Sequence, residues 1–192
     1  MKVPTFDTER LVLRPFADED ATELHRILNQ EDILKYFPGP GSPSFEKAQK
    51  FIAHQTEQWQ TIGYAWWAVE LKGTGELLGW NGLQYLPETE ETEIGFLLDK
   101  RHWGQGLTTE AGRVGLRFGF ERLKLEEIIA LAHPENLASQ RVIEKLGLQF
   151  VEETEYFDMA VRRFVLSAKT YSIHAARTDL EIDRAQSRAI DG

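Results

Sequence analysis

Thr92-Glu93-Ile94-Gly95-Phe96-Leu97-Leu98, then Arg101-His102-Trp103-Gly104-Gln105-Gly106, then an apolar-periodic run from Leu107 to Leu123, is the stretch that decides the fold. It reads as strand, glycine loop, helix. Gly104 and Gly106 carry no side chains to hold a ligand off the backbone. The helix opening near Leu107 aims its free N–H groups and the positive end of its dipole at the same place. Such a place suits a phosphate, although two glycines also serve as a plain tight connection. Thr109 stands where a dinucleotide fingerprint needs its third glycine, and no Gly-Lys-Ser/Thr follows. Glu127 falls about where a ribose-binding acid would sit, so the dinucleotide reading is weakened and stays open.

On the N-terminal side of this stretch, Arg10 to Phe16 alternates like a strand, with Asp18 as the expected N-cap of a helix through Ala21, Leu24, Ile27 and Leu28. Phe37 to Pro43 is a loop by its prolines and glycines. A second helix follows Ser44 and ends before Gly63. Tyr64–Leu71 and Glu76–Leu83 form a hairpin over a glycine turn, with Trp66 and Trp67 on opposite faces. After the acidic turn at Pro87 to Thr92, the strand Glu93–Leu98 continues antiparallel, and the helix Leu107 to Leu123 buries two sides.

On the C-terminal side, Glu126–Ala132 is a strand parallel to Glu93–Leu98 by the right-handed crossover rule. A helix then runs from Asn136 to Leu146 with Gly147 past its end. Leu148–Tyr156 and Arg163–Ala168 are strands around a turn near Asp158. No internal repeat is present. This order predicts an α+β fold with a mixed sheet rather than a doubly wound one, which further demotes a dinucleotide site. One domain is expected over residues 1–170, with residues 171–192 a weakly helical or frayed tail.

Composition narrows the function. The chain has 192 residues, 42% of them hydrophobic, enough for one core. A net charge of −9 without a basic cluster argues against nucleic acid and is compatible with cationic substrates such as amines. With no cysteine, disulfides and thiol catalysis are excluded. No signal-like segment and no run approaching ~18 apolar residues occurs, so no membrane partner is expected and a cytoplasmic protein is. His25, His54, His102, His133 and His174 show no metal-ligand spacing, and no metal is expected.

Arg101-x-x-Gly104-x-Gly106 at the strand-to-helix turn, followed by a strand and Asn136-x-x-Ser139-x-x-x-x-Glu144-Lys145-x-Gly147, resembles the GNAT superfamily of acetyl-CoA-dependent N-acetyltransferases. The opening Thr8-Glu9-Arg10-Leu11-x-Leu13-Arg14-Pro15 and the Asn136-x-x-Ser139 form are similar to its RimJ/RimL-type branch, named for ribosomal-protein N-terminal acetylation. The resemblance covers roughly Thr5 to Ala168. It implies a mostly antiparallel sheet with helices on both faces and a splayed parallel strand pair. It further implies that the Gly104, Gln105, Gly106, Leu107 and Thr108 backbone cradles the coenzyme A pyrophosphate, with Arg101 beside it. Pantetheine would lie along Phe96, Leu97 and Leu98, with Asn136 bonding its amide. Asn136 is also a good helix N-cap, and Arg101 reads equally as a solvated turn charge. Trp103 is expected to pack under the loop.

Amide formation needs a neutral amine, a polarised thioester carbonyl and a proton for the departing sulfur. A backbone N–H near Phe96–Leu98 is expected at the carbonyl oxygen. Glu93 is the candidate base, directly or through water, though it also closes an acidic surface run. The tyrosine that many relatives carry seven residues after the motif asparagine is Ile143 here, which leaves Ser139 as the candidate acid, with Tyr156 or water behind it. A protein α-amine needs ~1 kcal/mol to lose its proton at pH 7 and a lysine ~4.6, which favours a protein N-terminus as acceptor. A polyamine, an aminoglycoside or a non-catalytic coenzyme A sensor are the alternatives. The family is often dimeric, so a homodimer through Trp80 or the tail is open.

Overall fold

The computed structural model describes residues 3–39 and 41–173. Eight strands form a single sheet in the order β1-β2-β3-β4-β5-β6-β8-β7. The strands are β1 (Phe6–Asp7), β2 (Leu11–Arg14), β3 (Trp66–Leu71), β4 (Glu76–Leu86), β5 (Glu91–Leu98), β6 (Glu127–Ala132), β7 (Gln149–Tyr156) and β8 (Met159–Ser167). Every neighbouring pair is antiparallel except β5 and β6, which are parallel. The expected mixed α+β architecture is what the chain adopts.

Period-two alternation sends successive side chains to two cores. On one face Leu11, Leu13, Trp67, Val69, Leu78, Ile94 and Leu98 pack against helix α3 (Leu107–Arg117) and against Ile143 and Leu146 at helix α4 (Leu137–Lys145). On the other, Ala68, Leu77, Trp80 and Leu97 meet α1 (Asp20–Leu28) and Ala48 and Ile52 of α2 (Phe45–Thr61). Trp66 joins this second core and Trp67 the first, so the paired tryptophans do face opposite ways.

Three details differ from the sequence reading. Asp18 does not cap α1; the Asp20 carboxylate instead accepts the Ala17 N–H at 2.8 Å and a bidentate pair from Arg14. The helix of 107–123 is α-helical only to Arg117 and then widens to a π turn over Phe118–Arg122, where Leu123 N–H reaches back to Phe118 O at 3.1 Å. A Cβ on Gly119 would stand 2.5 Å from Ile128 Cδ1, so this turn lies directly on β6. The last strand begins at Met159 and not Arg163, since the turn at Phe157 and Asp158 is tight enough to pair Tyr156 with Met159. Residues 168–173 are helical, and the rest of the expected tail lies outside the described residues.

Candidate active site

Glu93 and Ile129 are the one registered pair between β5 and β6. Past it the strands part, and a cavity of about 260 Å³ opens between Ile94, Gly95 and Phe96 on one side and Leu131, Ala132 and His133 on the other. Glu93 therefore sits at the vertex of a wedge. It is 9% exposed, and its Oε2 accepts a 2.7 Å hydrogen bond from Gln84 Nε2. Burial pushes its carboxyl up to about 7; the bonds from Gln84 and the Leu131 backbone pull the other way without prevailing, and the nearby Glu91 charge adds to the push. A carboxylate in that range can take a proton near neutral pH.

Asn136 and Ser139 line the same cavity from the start of α4. The Asn136 Oδ1 accepts the Ser139 N–H at 3.1 Å, so the side-chain oxygen caps the helix. Its amide nitrogen and the Ser139 hydroxyl have no protein partner among the described residues. Tyr156 also borders the cavity, but its hydroxyl donates to Glu91, which Arg163 holds as well. Burial, followed by that bond, raises the phenol above its ordinary value and makes it a weaker acid. Ile143 is fully buried in the core and faces no site.

The glycine loop lies beyond the other end of β5. Both Gly104 (φ +74°) and Gly106 (φ +79°) take left-handed conformations, so the backbone itself requires glycine there. Nothing stands within 4 Å of a Cβ placed on Gly104. Gly106 caps α3, and the backbone N–H groups of Gly104, Gln105, Gly106, Leu107 and Thr108 have no acceptor among the described residues. Exposed donors converging on a helix N-terminus suit an anion, as a diphosphate requires. An unanticipated brace holds the loop from outside. Arg10 donates to Gln105 O at 2.9 Å and to the Glu110 carboxylate on α3 at 2.7 Å, while Glu110 also accepts from Thr8 and the Arg10 N–H.

Other expected loop residues behave differently. Arg101 is not a free loop cation: its guanidinium bonds the buried Asp99 and, at 2.7 Å, Glu76. Burial pushes the Asp99 carboxyl up, but hydrogen bonds from Arg101, Gln30 and Arg26 together outweigh it and hold the group well below the usual range. Glu23, Glu76 and Asp99 lie close enough to one another to share an ion, yet Arg26 and Arg101 already donate into that cluster. Trp103 does not pack under the loop. It is 51% exposed and donates its indole N–H to Leu98 O at 2.7 Å. Leu97 and Leu98 turn their side chains into the two cores, leaving only backbone to offer a ligand, while Phe96 borders the cavity.

Gln84 was readable but unread. Folding the chain at the acidic turn puts Leu86 opposite Glu91 and hence Gln84 opposite Glu93. Tyr36 and Phe37, from the loop after α1, also line the cavity, and no local signal announced them.

Residues 10–149 match the model of the acetyltransferase (GNAT) domain. The chain belongs to the GNAT family. As an N-acetyltransferase of this family, which uses acetyl-CoA, it is 33% identical over 146 residues to the uncharacterized protein YkkB of Bacillus subtilis (strain 168), covering 74% of this chain and 84% of that one. The GNAT fold aligns with the acetyltransferase of Agrobacterium tumefaciens str. C58 at a TM-score of 0.76 and 26% identity, over 86% of this chain and 95% of the other. It also aligns with RimL, a ribosomal L7/L12 α-N-protein acetyltransferase in complex with coenzyme A, at a TM-score of 0.71 and 17% identity, over 85% and 98% of the two chains. Among the described residues no helix is long and apolar enough to cross a membrane.

Proposed function

We propose that this N-acetyltransferase moves the acetyl group of acetyl-CoA directly to a primary amine in a ternary complex, with a protein N-terminal α-amine the favoured acceptor. The observation that carries this is Glu93: a buried carboxylate with its proton affinity raised to about 7, at the vertex of the parted strands and in one cavity with Ser139 and Asn136. When bound, acetyl-CoA supplies a thioester whose carbonyl carbon exchanges its C–S bond for a C–N bond, leaving an N-acetylated amine and a free thiol. Glu93 accepts the proton that the amine gives up, directly or through water. Ser139 Oγ donates a proton toward the departing sulfur and is reprotonated from solvent.

The loop from Gly104 to Thr108 holds the diphosphate with its unpaired N–H groups, and Asn136 Nδ2 bonds the pantetheine arm lying along Phe96 to Leu98. Arg101 contributes through its backbone and through the Asp99 cluster, since its guanidinium is committed there. The favoured acceptor follows from the base: a carboxylate near 7 matches an α-amine of about 7.7–8.0 far better than a lysine near 10.4. RimL, to which the fold is similar, acts on a protein α-amine by its name.

Thiol release from acetyl-CoA, measured with peptide N-termini and with spermidine, tests the reading. In Ser139→Ala the turnover rate should fall about 100-fold or more, the lower end for loss of a general acid. An unchanged rate would move the proton-donor role to Tyr156 or water.

A further inference from the structure

We infer that the acceptor is a singly charged primary amine carrying an aromatic or bulky apolar group within a few bonds of its nitrogen. The inference rests on the proposed transfer at Glu93 and names the chemical class that this cavity takes. The amine would approach Glu93 through a chamber whose lining includes the aromatic side chains of Tyr36, Phe37, Trp66, Trp80, Tyr156 and Phe157.

This wall is built flat. The rings of Trp66 and Trp80 stack at 4.1 Å and 15°, and Phe51 packs against both, at 5.6 Å and 6.0 Å. Gly95 makes it possible, because a Cβ on that residue would stand 3.2–3.3 Å from the Trp66 indole. Tyr36 stacks on His133 at 4.9 Å and closes the opposite side. Ring faces of this kind attract one ammonium ion and cover apolar surface next to it.

Charge favours a singly charged acceptor over the multiply charged alternatives. Among the described residues Glu93 is the sole carboxylate lining the cavity. The next inward position on its strand, Glu91, is neutralised by Arg163 and bonded by Tyr156. Among the described lining residues a polyamine's second ammonium would find ring faces but no carboxylate to pair with. A volume of about 260 Å³ is also at the small end beside the ~300–1,000 Å³ typical of pockets that enclose drug-sized ligands, which favours a small acceptor group over the linked rings of an aminoglycoside.

Two sources share the favoured chemistry, the first residue of a peptide and a free arylalkylamine. The full chain should be assayed by thiol release with acetyl-CoA and a Phe-initiated peptide, 2-phenylethylamine, a Ser-initiated peptide, spermidine and kanamycin. The expected result is a kcat/KM for at least one aromatic acceptor ten or more times that for spermidine, kanamycin or the Ser peptide. Whichever aromatic arm wins identifies the source. Phe157→Asn, at a half-exposed turn position whose φ of +53° asparagine tolerates, should raise the KM of the aromatic acceptor about fivefold or more and leave that of acetyl-CoA unchanged. Its melting temperature verifies that it is folded. Equal or faster turnover of spermidine or kanamycin overturns the inference and leaves the transfer reading intact, as does an unchanged KM in folded Phe157→Asn. Binding of acetyl-CoA with no release to any amine overturns both.

Discussion

At the residue scale the proposed transfer turns on one carboxylate. Glu93 titrates at about 7 because it is buried, so its proton-accepting form builds up only as the pH passes that value. The turnover rate should rise through about pH 7 and level off above it. Glu93→Gln should lose this inflection and about 100-fold or more in rate, read from initial velocities across pH 5.5–9. Stability runs in the opposite sense. The folded value lies above the 4.5 of an ordinary glutamate, so the stabilisation present below 4.5 is lost as the pH climbs to 7. Glu93→Gln, which cannot ionise, should therefore be more stable than wild type at pH 8, by an order of magnitude of about 3 kcal/mol, and show no such slope in denaturant melts between pH 4.5 and 7.

At the scale of elements, the brace from β2 to the glycine loop positions main-chain donors without touching the chemistry. Arg10→Ala loses the bond to Gln105 O, a contribution of about 1 kcal/mol, and should raise the KM for acetyl-CoA roughly fivefold with kcat and the acceptor KM little changed. Elements were also where the sequence was easiest to read. The glycine loop, the Ser44 cap that accepts the Lys47 N–H, the hairpin of β3 and β4 and the α4 cap at Asn136 are all written in neighbouring residues. What escaped depended on partners far along the chain. Arg101 looked like a free cation because Glu76 meets it, and Arg26 and Gln30 join it on the neighbouring Asp99, only after folding. The aromatic chamber joins the loop after α1 to strands 30 to 120 residues later. The π turn at Phe118 packs its Gly119 on Ile128 of β6 and Leu83 of β4, contacts that local spacing does not display.

On the scale of the whole molecule, Asp99 ties α1 to the end of β5 and to the turn that precedes the glycine loop. It is fully buried and bonded by Arg26, Gln30 and Arg101. Asp99→Asn should cost about 2–3 kcal/mol at pH 7, since both guanidinium groups keep partial access to water. Because the folded carboxyl is held below its ordinary value, the contribution is present above 3.8 and fades only as the pH falls below that, so wild type and variant should converge in acid melts.

The lone registered contact between Glu93 and Ile129 makes the sheet two plates riveted at one point. Strands β1–β5 and β6–β8 carry their own ladders, and little main-chain bonding resists their rocking about that rivet. A guest lodged in the seam would act as a shim, so amide deuteration along Ile94 to Leu98 should slow when acetyl-CoA is added while β1 and β2 exchange as before.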